Sequence, residues 1–154
     1  METIQRSEHP LITFRKEWNV DAVASALALA KFLESKGKRV DIVADGFNAP
    51  KSLKFLPGIE KVMPAFRHLQ KFVINLDLSK TKIDELSYDI EGDKLRIHVT
   101  PKAGKFEGKD VTTGATDFKY DCIITVDTPD YGSLGALFTA NTEFFYNRPT
   151  VNID

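Results

Sequence analysis

Cysteine is almost missing from this chain of 154 residues, and the one present, Cys122, lies inside the apolar run CIITV. A lone thiol excludes an internal disulfide and fits a reducing cytosol, and its apolar neighbours mark it as a buried, inert side chain. Histidine is scarce as well. His9, His68 and His98 are scattered, which argues against a metal role for any of them; His98 lies in an alternating segment and is expected to face solvent. Neither sign of charge dominates, and the formal net charge is −1. That speaks against a strongly electrostatic nucleic-acid binder, although a neutral total is compatible with a local basic patch. The opening METIQRSEHP holds no apolar signal core. The longest apolar stretch, Ala22 to Ala30, is broken by Ser25 and is too short to span a bilayer. No Walker sequence and no Gly-x-Gly-x-x-Gly following a strand occurs, so the usual nucleotide cradles are missing. A cytoplasmic protein without membrane contact is expected.

What is present reads as one α/β domain over 1–154. PLITF (10–14) is a short β-prone run. Residues 21 to about 36 carry apolar side chains almost all round, as in a helix buried on more than one side, with Gly37 as its C-terminal cap. RVDIVAD (39–45) is the next strand, and strand-helix-strand order implies a parallel sheet. APKSLKFLPG (49–58) suggests a short helix stopped by Pro57 and Gly58, and KFVINLDL (71–78) a third strand. LSYDIEGDKLRIHVTP (86–101) alternates on both sides of Gly92-Asp93, the mark of a β-hairpin with one wet face. Residues 102–119 are polar and glycine-rich, with room for one short strand. YDCIITVD (120–127) is the clearest buried strand. A helix from about Asp130 to Asn141 and a last strand, PTVNID, complete the chain. The expected fold is therefore a mainly parallel sheet with helices on both faces and an inserted hairpin and polar segment at about 79–119.

Acids and an amide stand where a parallel sheet places its ligands, at the carboxyl ends of strands. Asn19 and Asp21 follow the first strand, Asp127 ends YDCIITVD, and Asp154 ends PTVNID. Converging carboxylates there suit Mn²⁺ or Mg²⁺ and phosphoryl chemistry. The plainer reading, which spacing alone favours, is that Asp21 and Asp127 each cap a helix. Phe14 and Trp18 flank Arg15 and are expected to pack rather than stack on a base. Lys102, Lys105 and Lys109 are expected to be solvated rather than to hold phosphate.

The stretch 12–29 resembles the first motif of the DHH phosphoesterase superfamily, roughly His, two residues, Pro, Asp, any, Asp, Ala, any, Gly, Ser and an apolar helix. YDCIITVDTPDYGSLG resembles the second motif, a buried strand ending in a metal-bridging Asp. PTVNID resembles the strand entering the Asp-His-His motif, and FNAPKSLKFLPGIEKV the segment between the first two motifs. The superfamily includes RecJ-type exonucleases, oligoribonucleases that also cleave phosphoadenosine phosphate, and pyrophosphatases. The resemblance covers most of the chain apart from 79–119. Asp21, Ala22, Ser25, Asp127 and Asp154 match motif positions. Arg15 stands at the family's ligand His, Asn19 at its first ligand Asp, Trp18 at the Pro and Ala24 at the Gly.

The resemblance implies two metals, and the departures disable both. One site would be held by the positions of Arg15, Asn19 and Asp127, and a guanidinium has no lone pair to offer a cation. The other would use Asp21 and Asp127 with a third-motif His and a fourth-motif Asp, both beyond Asp154, as is the family's C-terminal substrate-binding domain. A longer protein cut before His-His and a gene ending at Asp154 both fit. The vestigial ligand set is thus Asn19, Asp21 and Asp127, with no cofactor expected to bind tightly. The expected function is a DHH-like domain without catalysis, serving in binding or assembly. The alternative is a fragment of a Mn²⁺- or Mg²⁺-dependent phosphodiesterase or phosphatase acting on short oligonucleotides or phosphoadenosine phosphate; a third reading is a metal-free nucleotide-binding or small-molecule-binding domain. Two further expectations are specific. The Arg15 guanidinium should bridge Asp21 and Asp127 in place of the first metal. The hairpin 86–100 should pair or pack with a second copy of the chain.

Overall fold

The structure is a computed structural model and describes residues 2–154. In chain order its elements are α1 (Glu2–Arg6), β1 (Pro10–Phe14), α2 (Val20–Ser35), β2 (Asp41–Val43), β3 (Val62–Met63), β4 (Phe72–Leu76), β5 (Ile83–Glu91), β6 (Lys94–Pro101), β7 (Val111–Ala115), β8 (Cys122–Val126), α3 (Ala136–Thr139), α4 (Thr142–Tyr146) and β9 (Thr150–Ile153). Contacts divide the chain into two compact units. One runs up to Gln70 and resumes at Phe118; the other is Lys71–Asp117. Among the described residues no helix is long and apolar enough to cross a membrane.

The first unit is an α/β layer structure. Its five-stranded sheet has the order β3-β2-β1-β8-β9, and every pairing is parallel. β1 and β8 are buried along their whole length, as expected of central strands covered on both faces. Period-two alternation sends their side chains to opposite layers. Ile12, Phe14, Ile124 and Val126 meet Ala22, Val23, Ala26, Ala30 and Leu33 of α2. Leu11 and Ile123 face the other way, onto Leu134, Leu137, Phe144 and Phe145. Helices on both faces thus hold as expected.

α2 starts where a side-chain oxygen is available and stops where a left-handed residue is. Asn19 is its N-cap, accepting the Ala22 N–H at 2.7 Å. At the other end Gly37 has φ +81°. The Gly37 and Lys38 N–H groups bond back to the carbonyls of Glu34 and Leu33, the paired closure a glycine in that conformation permits.

Several expectations are corrected. KFVINLDL does not join the parallel sheet: β4 pairs antiparallel with β7 in a separate two-stranded ribbon. The second unit therefore begins at Lys71 rather than near residue 79. The place at the sheet's β2 edge is taken by the two residues of β3, too short to show a period. Residues 49–58 form only a 3-10 turn at Lys51–Leu53. The helix expected from Asp130 to Asn141 is a 3-10 turn, Tyr131–Leu134, followed by α3, because Gly135 breaks it at φ 66°, ψ −139°. The hairpin is present as β5 and β6, joined by Gly92 and Asp93 with Glu91 opposite Lys94.

Candidate functional site at the strand ends

In this strand order the connection from β1 runs to one side of the sheet and the connection from β8 to the other. The reversal lies between β1 and β8, and the crevice at their carboxyl ends is where a doubly wound sheet receives ligands. Register puts Phe14 beside Val126, so Arg15 and Asp127 leave the sheet side by side. The Asp127 N–H bonds to the Ile153 carbonyl at 3.0 Å, which brings the end of β9 to the same edge. Asp127 has φ +47° and is the one non-glycine residue with positive φ among the described residues. Asp tolerates that region better than most side chains, and such a conformation at a strand end is a feature of functional sites.

Asn19 closes the cluster. Its Nδ2 donates to Asp127 Oδ2 at 2.8 Å, while its Oδ1 accepts the Ala22 N–H. The two bonds fix the amide's orientation, since a flipped amide would set oxygen against carboxylate and N–H against N–H. The helix cap is therefore Asn19, not Asp21. Asp21 is exposed in the first turn of α2, and Ser25 and Asp154 are exposed as well. Asp127 does not cap the following turn either: Asp130 does, accepting the Ser133 N–H at 2.9 Å.

Arg15 departs from its expected role. Among the described residues it makes no ion pair within 4 Å with Asp21 or Asp127, and its Nε is buried without a hydrogen-bond partner. The counter-group at Asp127 is the Asn19 amide instead. Phe14 and Trp18 pack on Phe47, with ring centroids 5.7 and 5.4 Å away. Lys105 and Lys109 turn to Glu107, and His98 turns to Asp89 on the exposed hairpin. Cys122 is buried, which pushes its thiol up to about 11.

A second contact spans the same edge of the sheet and involves residues not singled out from the sequence. Asp45, just past β2, accepts the Ala136 N–H at 2.9 Å and pairs with Lys16 Nζ at 3.2 Å. Lys16 in turn donates its backbone N–H to the Ser133 carbonyl at 2.8 Å. The Ala136 N–H, then the Lys16 cation, hold the Asp45 carboxyl below the usual carboxylate range. The signal that points to Asp127, an acid ending a buried strand, applies equally to VDIVAD.

The donor set does not fit the two-metal centre that the resemblance implies. Asp127 offers its carboxylate to an amide N–H, Asn19 turns its only lone-pair atom into the helix, and Arg15 is a cation. Among the described residues no three His, Cys, Asp or Glu side chains are grouped to hold a metal ion. Comparison with protein-family models and with curated proteins finds no match for this chain.

Proposed function

We propose that this chain is a DHH-phosphoesterase-like domain in which catalysis has given way to a binding or assembly role. The observation that carries the reading is the hydrogen bond from Asn19 Nδ2 to Asp127 Oδ2. Two positions that match ligand positions of the family motifs converge at the switch point of a parallel sheet, and there an amide hydrogen occupies the carboxylate lone pair that a bridging metal would need. The Lys16–Asp45 pair and the Asp45–Ala136 bond add to this: they tie the ends of β1 and β2 to the segment after β8, across the edge where a substrate would enter.

The test has two arms. Hydrolysis of bis-nitrophenyl phosphate and of a dinucleotide, with Mn²⁺ present, should stay at background. Turnover that disappears in Asp127→Ala would overturn the reading in favour of an active phosphodiesterase fragment. The second arm restores the motif. Arg15→His with Asn19→Asp should raise calorimetric Mn²⁺ affinity well above that of the unaltered chain. A double variant that folds and gains no affinity would remove the family assignment.

A further inference from the structure

A second polar hollow lies in the first unit, apart from the Asn19–Asp127 cluster. Its floor is the face of β8 and β9 that looks away from α2, the side of Ile123 rather than of Ile124. Register sets Thr125 beside Asn152 and Ile123 beside Thr150. A 2.7 Å bond from the Thr125 hydroxyl to Asn152 Oδ1 spans the first pair, and Thr150, two residues earlier on β9, shares the face. The wall is the turn after β8, with Thr128, Pro129, Asp130 and Tyr131. The Tyr131 hydroxyl donates to Thr150 Oγ1 at 2.8 Å and pins this turn over the start of β9. The pocket is open and has a volume of about 440 Å³, within the range of small-molecule sites.

Its side chains keep hydrogen-bonding groups that the fold does not use. Asn152 gives its oxygen to Thr125, and its Nδ2 has no partner among the described residues. Asp130 gives Oδ1 to the Ser133 N–H, and its Oδ2 has none. Thr150 Oγ1 accepts from Tyr131 and still has its own proton to donate,. Thr125 and Thr128 are 3% and 2% exposed. Their protons go to Asn152 and to the Val126 carbonyl, and their oxygens keep lone pairs. The unused set is therefore donors on β9 and acceptors on β8 and the turn. No cation lines the pocket and one carboxylate does, so an anion would meet Asp130 with nothing to offset the repulsion. A wholly apolar ligand would leave the same groups desolvated and unpaired.

We propose that this pocket binds the vicinal diol of a sugar ring, carried by a nucleoside or by a free sugar. Each hydroxyl of a diol is donor and acceptor at once. That is the mixture the pocket asks for: acceptors for Asn152 Nδ2 and the Thr150 hydroxyl, a donor for Asp130 Oδ2. A sugar ring is also apolar on its carbon face, and Pro129 and Tyr131 supply apolar surface beside the polar groups,. None of Arg15, Asn19, Asp21 and Asp127 lines the pocket. The proposal therefore does not rest on the phosphoesterase reading, and either can fail alone.

Amide-resolved NMR titration of the full chain with uridine, 2′-deoxyuridine and D-ribose, each to ~10 mM, tests it, since an open pocket with few polar contacts gives a Kd on the millimolar scale. Uridine should move the signals of 128–131 and 150–152 and leave those of α2 in place. 2′-Deoxyuridine lacks one hydroxyl of the diol and should bind about fivefold more weakly or worse, the loss of one hydrogen bond. Ribose as effective as uridine assigns the pocket to free sugars; ribose silent beside binding uridine assigns it to nucleosides; both support the proposal. Two isosteric variants keep the fold's own bonds. Asp130→Asn retains the cap on Ser133, because Asn caps as well as Asp, and removes the charged acceptor. Asn152→Asp retains the oxygen for Thr125 and removes the donor. Each should weaken diol binding by about fivefold or more. No shift with any of the three compounds overturns the proposal. Equal binding of uridine and 2′-deoxyuridine, which would mark recognition of the base, overturns it too, as does binding that both variants leave intact.

Discussion

Asn19 and Asp127 are 108 positions apart and are joined by a 2.8 Å hydrogen bond in which the amide nitrogen donates to the carboxylate. One small side chain thus does two jobs. Its oxygen caps α2, and its nitrogen donates a hydrogen bond to the Asp127 carboxylate at the edge between β1 and β8. Asn19→Asp separates these roles, because Asp is as good a cap as Asn. The cap bond survives, the donor is lost, and two carboxylates meet without a counter-charge. The variant should lose about 1–3 kcal/mol at neutral pH, read from urea denaturation. Mn²⁺ should recover part of that loss in the variant and have little effect on the unaltered chain. A variant as stable as the parent, with no metal response, would show that the Asn19–Asp127 bond carries no weight.

Arg15 leads to a different expectation. Its Nε is buried and unpaired, and a buried unsatisfied donor costs stability rather than supplying it. Arg15→Met keeps most of the aliphatic stem and removes the polar head. Thermal and urea unfolding should find the variant within about 1 kcal/mol of the parent or above it. A loss well beyond that would mean that the guanidinium is held by a partner after all.

Much of the first unit was legible. The all-round apolar run after Asn19 and the run CIITV are long, buried and bounded by turn residues, and they became α2 and β8. The edge where the site lies followed from the parallel order. The failures have physical causes. FVINL has the composition of a core strand, but its partner is β7, and a short apolar run does not reveal which strand it will pair with. β3 has two residues and therefore no period. Spacing favours Asp21 as the cap, but the cap is the residue that precedes the first helical φ/ψ, and with the helix starting at Val20 that is Asn19. Arg15 directly follows β1, yet register does not determine where a long flexible side chain points.

Gly135 tests how firmly the strand ends are tied. Its φ of 66° with ψ of −139° is a conformation that other residues scarcely adopt,. A Cβ built there would also overlap Asp45 Oδ2 and crowd Lys16. Gly135→Ala should cost about 2–3 kcal/mol or more, from backbone strain and the broken Asp45–Ala136 contact together. Adding Asp45→Ala should relieve the overlap but not the strain, so the double variant should be less unstable than the sum of the singles. Additive losses would mean that Asp45 and Gly135 do not communicate.

A network at the amino ends of the strands contributes to the acid sensitivity of the fold. Asp41 Oδ2 receives Lys119 Nζ at 2.6 Å and the Tyr120 hydroxyl at 2.9 Å, with His9 Nε2 3.5 Å away. Burial disfavours the His9 imidazolium and holds its pKa below 6.5, against the pull of Asp41. Burial also pushes Asp41 upward, but the bonds from Lys119 and Tyr120 more than offset it and leave the carboxyl below its usual range. Both groups bind protons more readily in the unfolded chain, so stability must rise with pH wherever that difference acts. For His9 the stabilisation is complete above pH 6.5 and is lost as pH falls from there through the folded-state value. For Asp41 it is complete above the usual carboxylate range and is lost at lower pH still. Urea unfolding should therefore show a plateau above neutrality and a decline in two stages. His9→Gln should remove the upper stage and leave the lower one. Lys119→Met should diminish the lower stage, because Asp41 loses its strongest opposing partner while its burial remains, and its folded-state value rises toward the unfolded one,. A profile that is unchanged in both variants would mean that this network does not set the acid limit of the fold.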